Sequence, residues 1–452
     1  MSVTLRKIDL DHIWHPFTPT SVWANDNAPI IRSGDGFYLL DVDGKRYLDG
    51  VSSIWCNVHG HSCKEIVKAI TDQAERIGHS TLLGLTHEPA IELTEELLKL
   101  FPQKLNRVFY SDSGSAAVEG GLRMALEFWA KSSSEADRKR HRLLSVNTGY
   151  HGDTLGAVSV GFVDIFHEPL RRNLIPSLKF FPPHVYRLSE GLSIREAEEK
   201  SLKALSEILE SSGDEVAAII IEPLVQGAAG IWTHSPTFFG EVLKRARIAG
   251  TLIIVDEVAT GFGKTGKMFA HEHSDITPDI VILGKSLSGG YLPLSAAVSG
   301  DHIFDRFTAP VEELKTFFYG QTFAGNPLAC AAATANLRLI QQEKILDNLP
   351  EKIDVMSSLL NDYITPLKNV FEVRQQGLMI GIELTRSPGR FDPYPSAELT
   401  GHRIVQKARE LGLFIRPIGN VIIMMPAIGM PIAEIKKLVA LTAESISSVT
   451  NS

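Results

Sequence analysis

With 452 residues, 44% of them hydrophobic and 22% charged, the chain is too long for one small domain and too apolar to be disordered. Its net charge of −8, with no basic patch, argues against nucleic acid as a partner. No apolar run reaches the roughly 18 residues of a membrane span, and three cysteines give no disulfide framework. Met1 to His12 lacks the apolar core of a secretory leader, so a cytoplasmic protein without a membrane partner is expected.

In chain order, Phe37 to Asp41 and Arg46 to Leu48 flank Asp43-Gly44 and predict a hairpin. Cys56, His59, His61 and Cys63 crowd one short segment. Their spacing matches no paired zinc motif, so no metal is expected there. Pro89 to Leu100 reads as an amphipathic helix with proline at its start. Arg107 to Tyr110 reads as a strand, and Ala116 to Ala130 as the helix after it. Ser132 to Arg142, of mixed charge, reads as a solvated loop. Strands follow at Leu143 to Val146, Ala217 to Ile221, Leu252 to Val255 and Ile280 to Leu283, with helices at Ser201 to Leu209 and Phe238 to Ala249. The last two strands are continuously apolar and β-branched, as strands buried on both faces are. Such alternation predicts a largely parallel sheet between helices, an α/β fold. Beyond Pro327 come a helix at Ala331 to Gln342, strands near Val370 to Arg374 and Met379 to Leu384, and an amphipathic helix from Ala433 to Val449. The expected organisation is a large α/β domain over residues 61–328, flanked by a smaller α+β domain built from 1–60 and 329–452.

The polar residues of interest cluster at strand ends, where open α/β sheets bind ligands. Ser113-Gly114-Ser115 opens a helix and offers backbone N–H groups to an anion, or merely caps the helix. Tyr150-His151-Gly152-Asp153 follows a strand and places an aromatic ring where it stacks on a flat ligand or packs at a domain edge. Asp256-Glu257 ends a buried strand, where a carboxylate must be paired or ligand-bound. Lys285 ends the next one, where desolvation lowers the pKa and favours a Schiff base; an ion pair is the alternative for either residue. Gly261 to Lys267 imitates a nucleotide-binding P-loop, but Met268 stands where that motif needs serine or threonine.

Taken together the motifs closely resemble the class-III, or ω-type, aminotransferases that depend on pyridoxal phosphate. They are Ser-Gly-Ser at 113–115, Gly-Tyr-His-Gly at 149–152, Ile-Glu-Pro at 221–223, Asp-Glu-Val-Ala-Thr-Gly-Phe-Gly at 256–263, Gly-Lys at 284–285 and Thr-Phe-Ala-Gly-Asn-Pro at 322–327. The resemblance implies fold type I of the pyridoxal-phosphate enzymes, with a mostly parallel seven-stranded sheet in the large domain. It implies that pyridoxal 5'-phosphate is carried by Lys285, that Asp256 pairs with its ring nitrogen and that Tyr150 stacks on the ring. Ser113, Gly114, Ser115, His151, Glu222 and Val258 complete the implied cofactor site, with Thr322 reaching the phosphate of a partner subunit in a homodimer.

Other segments resemble the branch of the family that aminates 8-amino-7-oxononanoate to 7,8-diaminononanoate in biotin synthesis. These are Trp14-His15-Pro16-Phe17-Thr18, Ser52-Ser53-Ile54-Trp55, His59-Gly60-His61 and Arg416-Pro417-Ile418-Gly419. They imply a substrate pocket of Phe17, Trp55, Tyr150, Lys285, Gly320 and Arg416, the arginine taking a carboxylate. S-adenosylmethionine is the expected amino donor. The alternatives are lysine as donor, or another ω-aminotransferase acting on a diamine or ω-amino acid. Ile54, Phe17 and Ile418 replace aromatic residues more usual in that branch, Lys264 replaces an arginine and Gln321 a proline, and most of these changes fall in the substrate pocket.

Overall fold

A computed structural model describes residues 2–450; Met1, Asn451 and Ser452, at the outer ends of the two terminal segments, lie outside the described residues. Its centre is a seven-stranded sheet in the order Arg107–Ser111, Ser295–Ser299, Ile280–Leu283, Leu252–Asp256, Val216–Ile221, Arg142–Val146, Leu178–Phe180. All neighbours pair parallel except Ser295–Ser299, which runs antiparallel to the strand on either side. Alternation along the strands divides the apolar residues between two faces. Ile253 and Val255 join Phe238, Phe239 and Val242 of the helix Pro236–Ile248. Ile220, Ile254 and Ile282 meet Ala117, Leu122 and Ala125 of the helix Gly114–Ala130 on the other face. That helix comes close because Gly121 lies over Ile282, where a β-carbon would stand 2.8 Å from Ile282 Cδ1.

Both chain ends share a four-stranded sheet of Ile31–Asp35, Tyr38–Asp41, Arg46–Asp49 and Leu413–Phe414, in which Leu413 pairs with Leu48. A second four-stranded sheet holds Val370–Gln376, Met379–Leu384, Val421–Met424 and Arg416–Ile418. The helix Ile432–Thr450 packs on Leu349–Tyr363 and Thr400–Glu410. The helices and strands expected from the sequence occur at their places, most with small shifts of boundary; the helix expected at Ser201 to Leu209 is much longer, Ile194–Ser212, and the one expected from Ala331 begins at Pro327. Unforeseen elements include the helix Lys64–Arg76 and the antiparallel strand Ser295–Ser299. The stretch expected as a solvated loop is only partly so. Arg140 turns inward and donates to the carbonyls of Gly213, Val216 and Ala249 at 2.8, 2.9 and 3.0 Å. Among the described residues no helix is long and apolar enough to cross a membrane.

Candidate active site

The strand Leu252–Asp256 carries its last side chain to the carboxyl edge of the sheet. Asp256 is buried there, with Oδ2 2.7 Å from His151 Nδ1 and Oδ1 accepting from the Val258 N–H at 3.0 Å. The next carboxylate points the other way, as successive residues of a strand do. Glu257 accepts from the Ala270 and His271 N–H groups at 2.9 and 2.7 Å and from the Thr260 hydroxyl at 2.8 Å. Of this adjacent pair, then, Asp256 faces a cavity and Glu257 ties down the following loop.

Trp55, Gly114, Ser115, Tyr150, His151, Glu222, Asp256, Val258 and Lys285 line that cavity together. Lys285 follows the strand Ile280–Leu283 and Gly284, with a left-handed backbone at φ 43°. Its Nζ lies 4.4 Å from the centre of the Trp55 ring. Among the described residues it has no hydrogen bond or ion pair. Burial pushes the Lys285 ammonium below its ordinary range, against Asp256, Glu222 and Cys56, which hold it up. The amine is thereby nearer the neutral form a nucleophile needs. Glu222 accepts from the N–H groups of Tyr150 and Gly227 at 3.0 and 2.8 Å. Burial, with Asp256 adding to it, pushes its carboxyl up to about 7 although His151 and these N–H donors oppose the shift. The Tyr150 hydroxyl donates to Asp153 Oδ2 at 2.8 Å, and burial followed by that carboxylate raises the phenol well above its ordinary range.

Opposite the carboxylates, the helix Gly114–Ala130 begins. Ser113 caps it, accepting from the Ala116 N–H at 3.2 Å, while its own carbonyl takes the Ser295 hydroxyl at 2.6 Å. Ser113 is therefore a structural cap and does not line the cavity. Gly114 and Ser115 present the helix N-terminus to the cavity, where its partial positive charge suits an anion. The Ser115 hydroxyl accepts from the Asp153 N–H at 3.2 Å. Gly152, at φ +119°, lies so near that a β-carbon there would stand 2.1 Å from Ser115 Oγ and 2.9 Å from Ser115 Cα.

Other residues expected at the site stand outside this cavity in the single chain. Thr322 and Gly320 are exposed. Phe17 is 53% exposed, its ring edge-on to Phe166 at 5.2 Å. Arg416 is half-buried on the strand Arg416–Ile418, has no hydrogen-bond or ion-pair partner among the described side chains, and is pulled down in pKa by burial. Gly152, Ala228 and Ala259 line the cavity without having been expected there. Gly152 was legible as part of the motif; the two alanines carry no chemical signal.

The P-loop-like stretch has a different use. Lys264 is fully buried, donates to Ser52 Oγ at 3.3 Å and is pushed down to about 8 by burial. The Cys-His cluster is likewise dispersed among separate partners. His61 Nε2 lies 3.0 Å from Asp49 Oδ2, and His59 lies 3.1 Å from Asn336 Oδ1. Among the described residues no group of three or more potential metal ligands comes together.

Comparison with known proteins agrees with the geometry. The aminotransferase class-III family profile matches residues 21–445. An adenosylmethionine-8-amino-7-oxononanoate aminotransferase of Geobacter sulfurreducens is 43% identical over 99% of this chain and 98% of its own length. Its namesake from Staphylococcus aureus is 40% identical over 98% of each chain. The crystal structure of the Methanocaldococcus jannaschii enzyme of that name superposes with a TM-score of 0.92 at 38% identity, covering 99% of this chain and 100% of the other. An (S)-enantioselective omega-transaminase from Thermomicrobium roseum also superposes at 0.92, with 29% identity over 99% of both chains. The chain belongs to the class-III aminotransferases.

Proposed function

We propose that the chain transfers an amino group to 8-amino-7-oxononanoate, forming 7,8-diaminononanoate, with S-adenosylmethionine as donor and pyridoxal 5'-phosphate as cofactor. The observation that carries this reading is the set of near-full-length relatives bearing that name, at 32 to 43% identity.

The cavity residues fit the cofactor. An unpartnered amine, a buried carboxylate at the strand end and a helix N-terminus kept open by Gly114 and Gly152 suit an aldehyde, a ring nitrogen and a phosphate. Lys285 would hold the group, Asp256 would pair with its ring nitrogen, Tyr150 would stack on it, and Gly114 and Ser115 would take the phosphate. Bound there, pyridoxal phosphate supplies an aldehyde that condenses with amines and a ring that withdraws electrons from the reacting carbon. Lys285 Nζ is the base that takes a proton from the substrate carbon and returns it. Asp256 keeps the ring nitrogen protonated, and the His151 contact holds that carboxylate in place. Glu222, hydrogen-bonded to the Tyr150 backbone, fixes where the stacking ring begins.

A single pocket takes donor and acceptor in turn, and the acceptor carries its carboxylate far from the reacting carbon, so a fixed cation at the distal end is useful. Arg416, half-buried without an ionic partner among the described residues, suits that role, because a desolvated guanidinium pairs strongly and bidentately with a carboxylate. Trp55 and Phe17 offer aromatic walls for the adenosyl group and the sulfonium.

The active unit proposed is a homodimer, in which Thr322 completes the neighbour's phosphate site and Gly320 its substrate site. Support comes from the exposure of both residues and from large exposed apolar side chains, Phe323 beside Thr322 at 57% and Leu83 on the separate segment 77–87 at 89%. The cytoplasm is the proposed compartment, in keeping with three free thiols.

The test is to give the purified holoenzyme 8-amino-7-oxononanoate with either S-adenosylmethionine or lysine and to measure the diamine. Diamine with S-adenosylmethionine is expected. Diamine with lysine alone would reassign the donor, and diamine with neither would overturn the substrate.

A further inference from the structure

The segment Ser52–Trp55 is the most strained backbone near the cavity. Ser52, Ser53 and Trp55 have φ of 45°, 63° and 65°, a region that costs a residue with a β-carbon energy unless its surroundings impose it. None of the three is glycine, so something else must hold them there. The same segment sets the Trp55 ring, which lies against Lys285 Nζ on one side. Elsewhere the ring packs on Gly227, where a β-carbon would stand 3.2 Å from Trp55 Cζ3.

The restraint comes largely from one carboxylate. Asp49 closes the strand Arg46–Asp49 and is 3% exposed. Its Oδ2 accepts from the Ser53 N–H at 2.7 Å and from the Ser53 hydroxyl at 3.3 Å, and its Oδ1 accepts from the Val51 N–H at 3.3 Å. His61 Nε2 faces the same Oδ2 at 3.0 Å. Ser52 is gripped separately, donating to the Met425 carbonyl at 2.8 Å. The carboxylate thus uses both oxygens: two of its four contacts fall on Ser53 within the strained turn, a third on Val51 just before it and the fourth on His61. Beyond the turn, the same carboxylate faces His61 and lies near the buried Lys264 ammonium, whose charge it favours.

We infer that Asp49 is a positioning residue for the transaminase reaction: its carboxylate holds Ser53 in the left-handed backbone that seats the Trp55 ring beside Lys285 and so shapes the wall met by the amino substrate. This rests on the class-III activity and not on either substrate named above. Asp49 touches neither substrate nor cofactor and acts only through the turn.

The test uses the holoenzyme with whichever amino donor the wild type accepts, and follows the donor-driven change of the cofactor absorbance by stopped flow. The hyperbola gives the donor dissociation constant and the limiting rate separately. Asp49→Asn offers one acceptor where the carboxylate uses two. It is expected to raise the dissociation constant about tenfold, on strain of the size left-handed residues carry, with the thermal midpoint and the cofactor content close to wild type. Adding Ser53→Gly removes the penalty that Asp49 opposes and is expected to restore donor binding. Ser53→Val leaves Asp49 in place and adds a β-branched penalty at the same φ; it is expected to weaken donor binding as Asp49→Asn does, and it serves should Asp49→Asn not fold. Unchanged donor binding in Asp49→Asn, a loss that Ser53→Gly fails to relieve, or normal binding in Ser53→Val would each overturn the inference.

Discussion

The floor of the cavity and its rim are built on opposite plans. On the floor, Asp256, Glu222 and Tyr150 each have a hydrogen-bond partner within the chain, and Lys285, against the Trp55 ring, has no hydrogen bond or ion pair among the described residues. At the proposed rim, Arg416 is without an ionic partner among the described residues, while Phe17, Thr322 and Gly320 are exposed. The floor comes from consecutive strand ends of one rigid sheet, so a single chain completes it. The proposed rim comes from distant segments, and in the proposed homodimer substrate or the second chain would finish it. Cofactor chemistry should therefore respond to single substitutions as an all-or-none device, and substrate recognition in graded fashion.

Four predictions sharpen that contrast, in descending size. Lys285→Ala should lower turnover by about 10³-fold or more, because both the attachment point and the proton-transferring base are lost. Steady-state assays read the loss, and retention of a tenth of the activity would move the chemistry to another amine. Asp256→Asn should keep the cofactor yet lose about 10²-fold in turnover, an electrostatic loss of the kind seen when a charge-stabilising group is neutralised. Absorbance reports cofactor content, and near-normal turnover would remove Asp256 from the ring nitrogen. Arg416→Ala should leave the cofactor spectrum alone while raising the KM for the keto acid about 30-fold, as removal of one member of a desolvated charge pair does. An unaltered KM would return the arginine to a structural part.

The smallest effect concerns pH. The Glu222 carboxyl sits at about 7 in the fold against an ordinary 4.5. Between those values the folded chain keeps a proton that the unfolded chain has lost. The stability this group contributes is therefore fully present below pH 4.5 and is lost as pH rises through about 7. Glu222→Gln cannot lose that proton. In cofactor-free protein, its thermal midpoint should gain on wild type across this interval, and a constant difference would refute the raised pKa.

Much of the floor was legible because its signals are local. A continuously apolar strand that ends on a charged residue names its own position in the sheet, as Leu252 to Asp256 and Ile280 to Lys285 do. The strand Ser295–Ser299 was not legible: Ser-Ala-Ala-Val-Ser has little hydrophobic or β-branched character, and it is held by neighbours and by Ser295 on the distant Ser113 carbonyl. Glu257 was read with Asp256 as one feature, and only the strand's alternation separates them. Lys264 lies in a stretch that only imitates a P-loop, and nothing near it in sequence shows that its amine ends on Ser52. Asp49 carries no motif at all; its partners, Ser53 and His61, become meaningful only when the turn's φ angles are known.

The close fit of Gly152 over Ser115 bears on how this pocket can be re-engineered. Gly152 lies on a loop and Ser115 in the first turn of the helix Gly114–Ala130, each after a different strand, yet the space for a β-carbon at 152 is already filled by Ser115, backbone included. A library that randomises 152 alone would push the first turn of the helix Gly114–Ala130 away and spoil the anion cradle in almost every member. Randomising 115 alone meets the same wall from the other side whenever the new side chain is larger. For recoding purposes, the two sites are one variable with a single small volume to divide, and diversity aimed at new amines is better placed on the rim, at Phe17, Ile54 and Ile418.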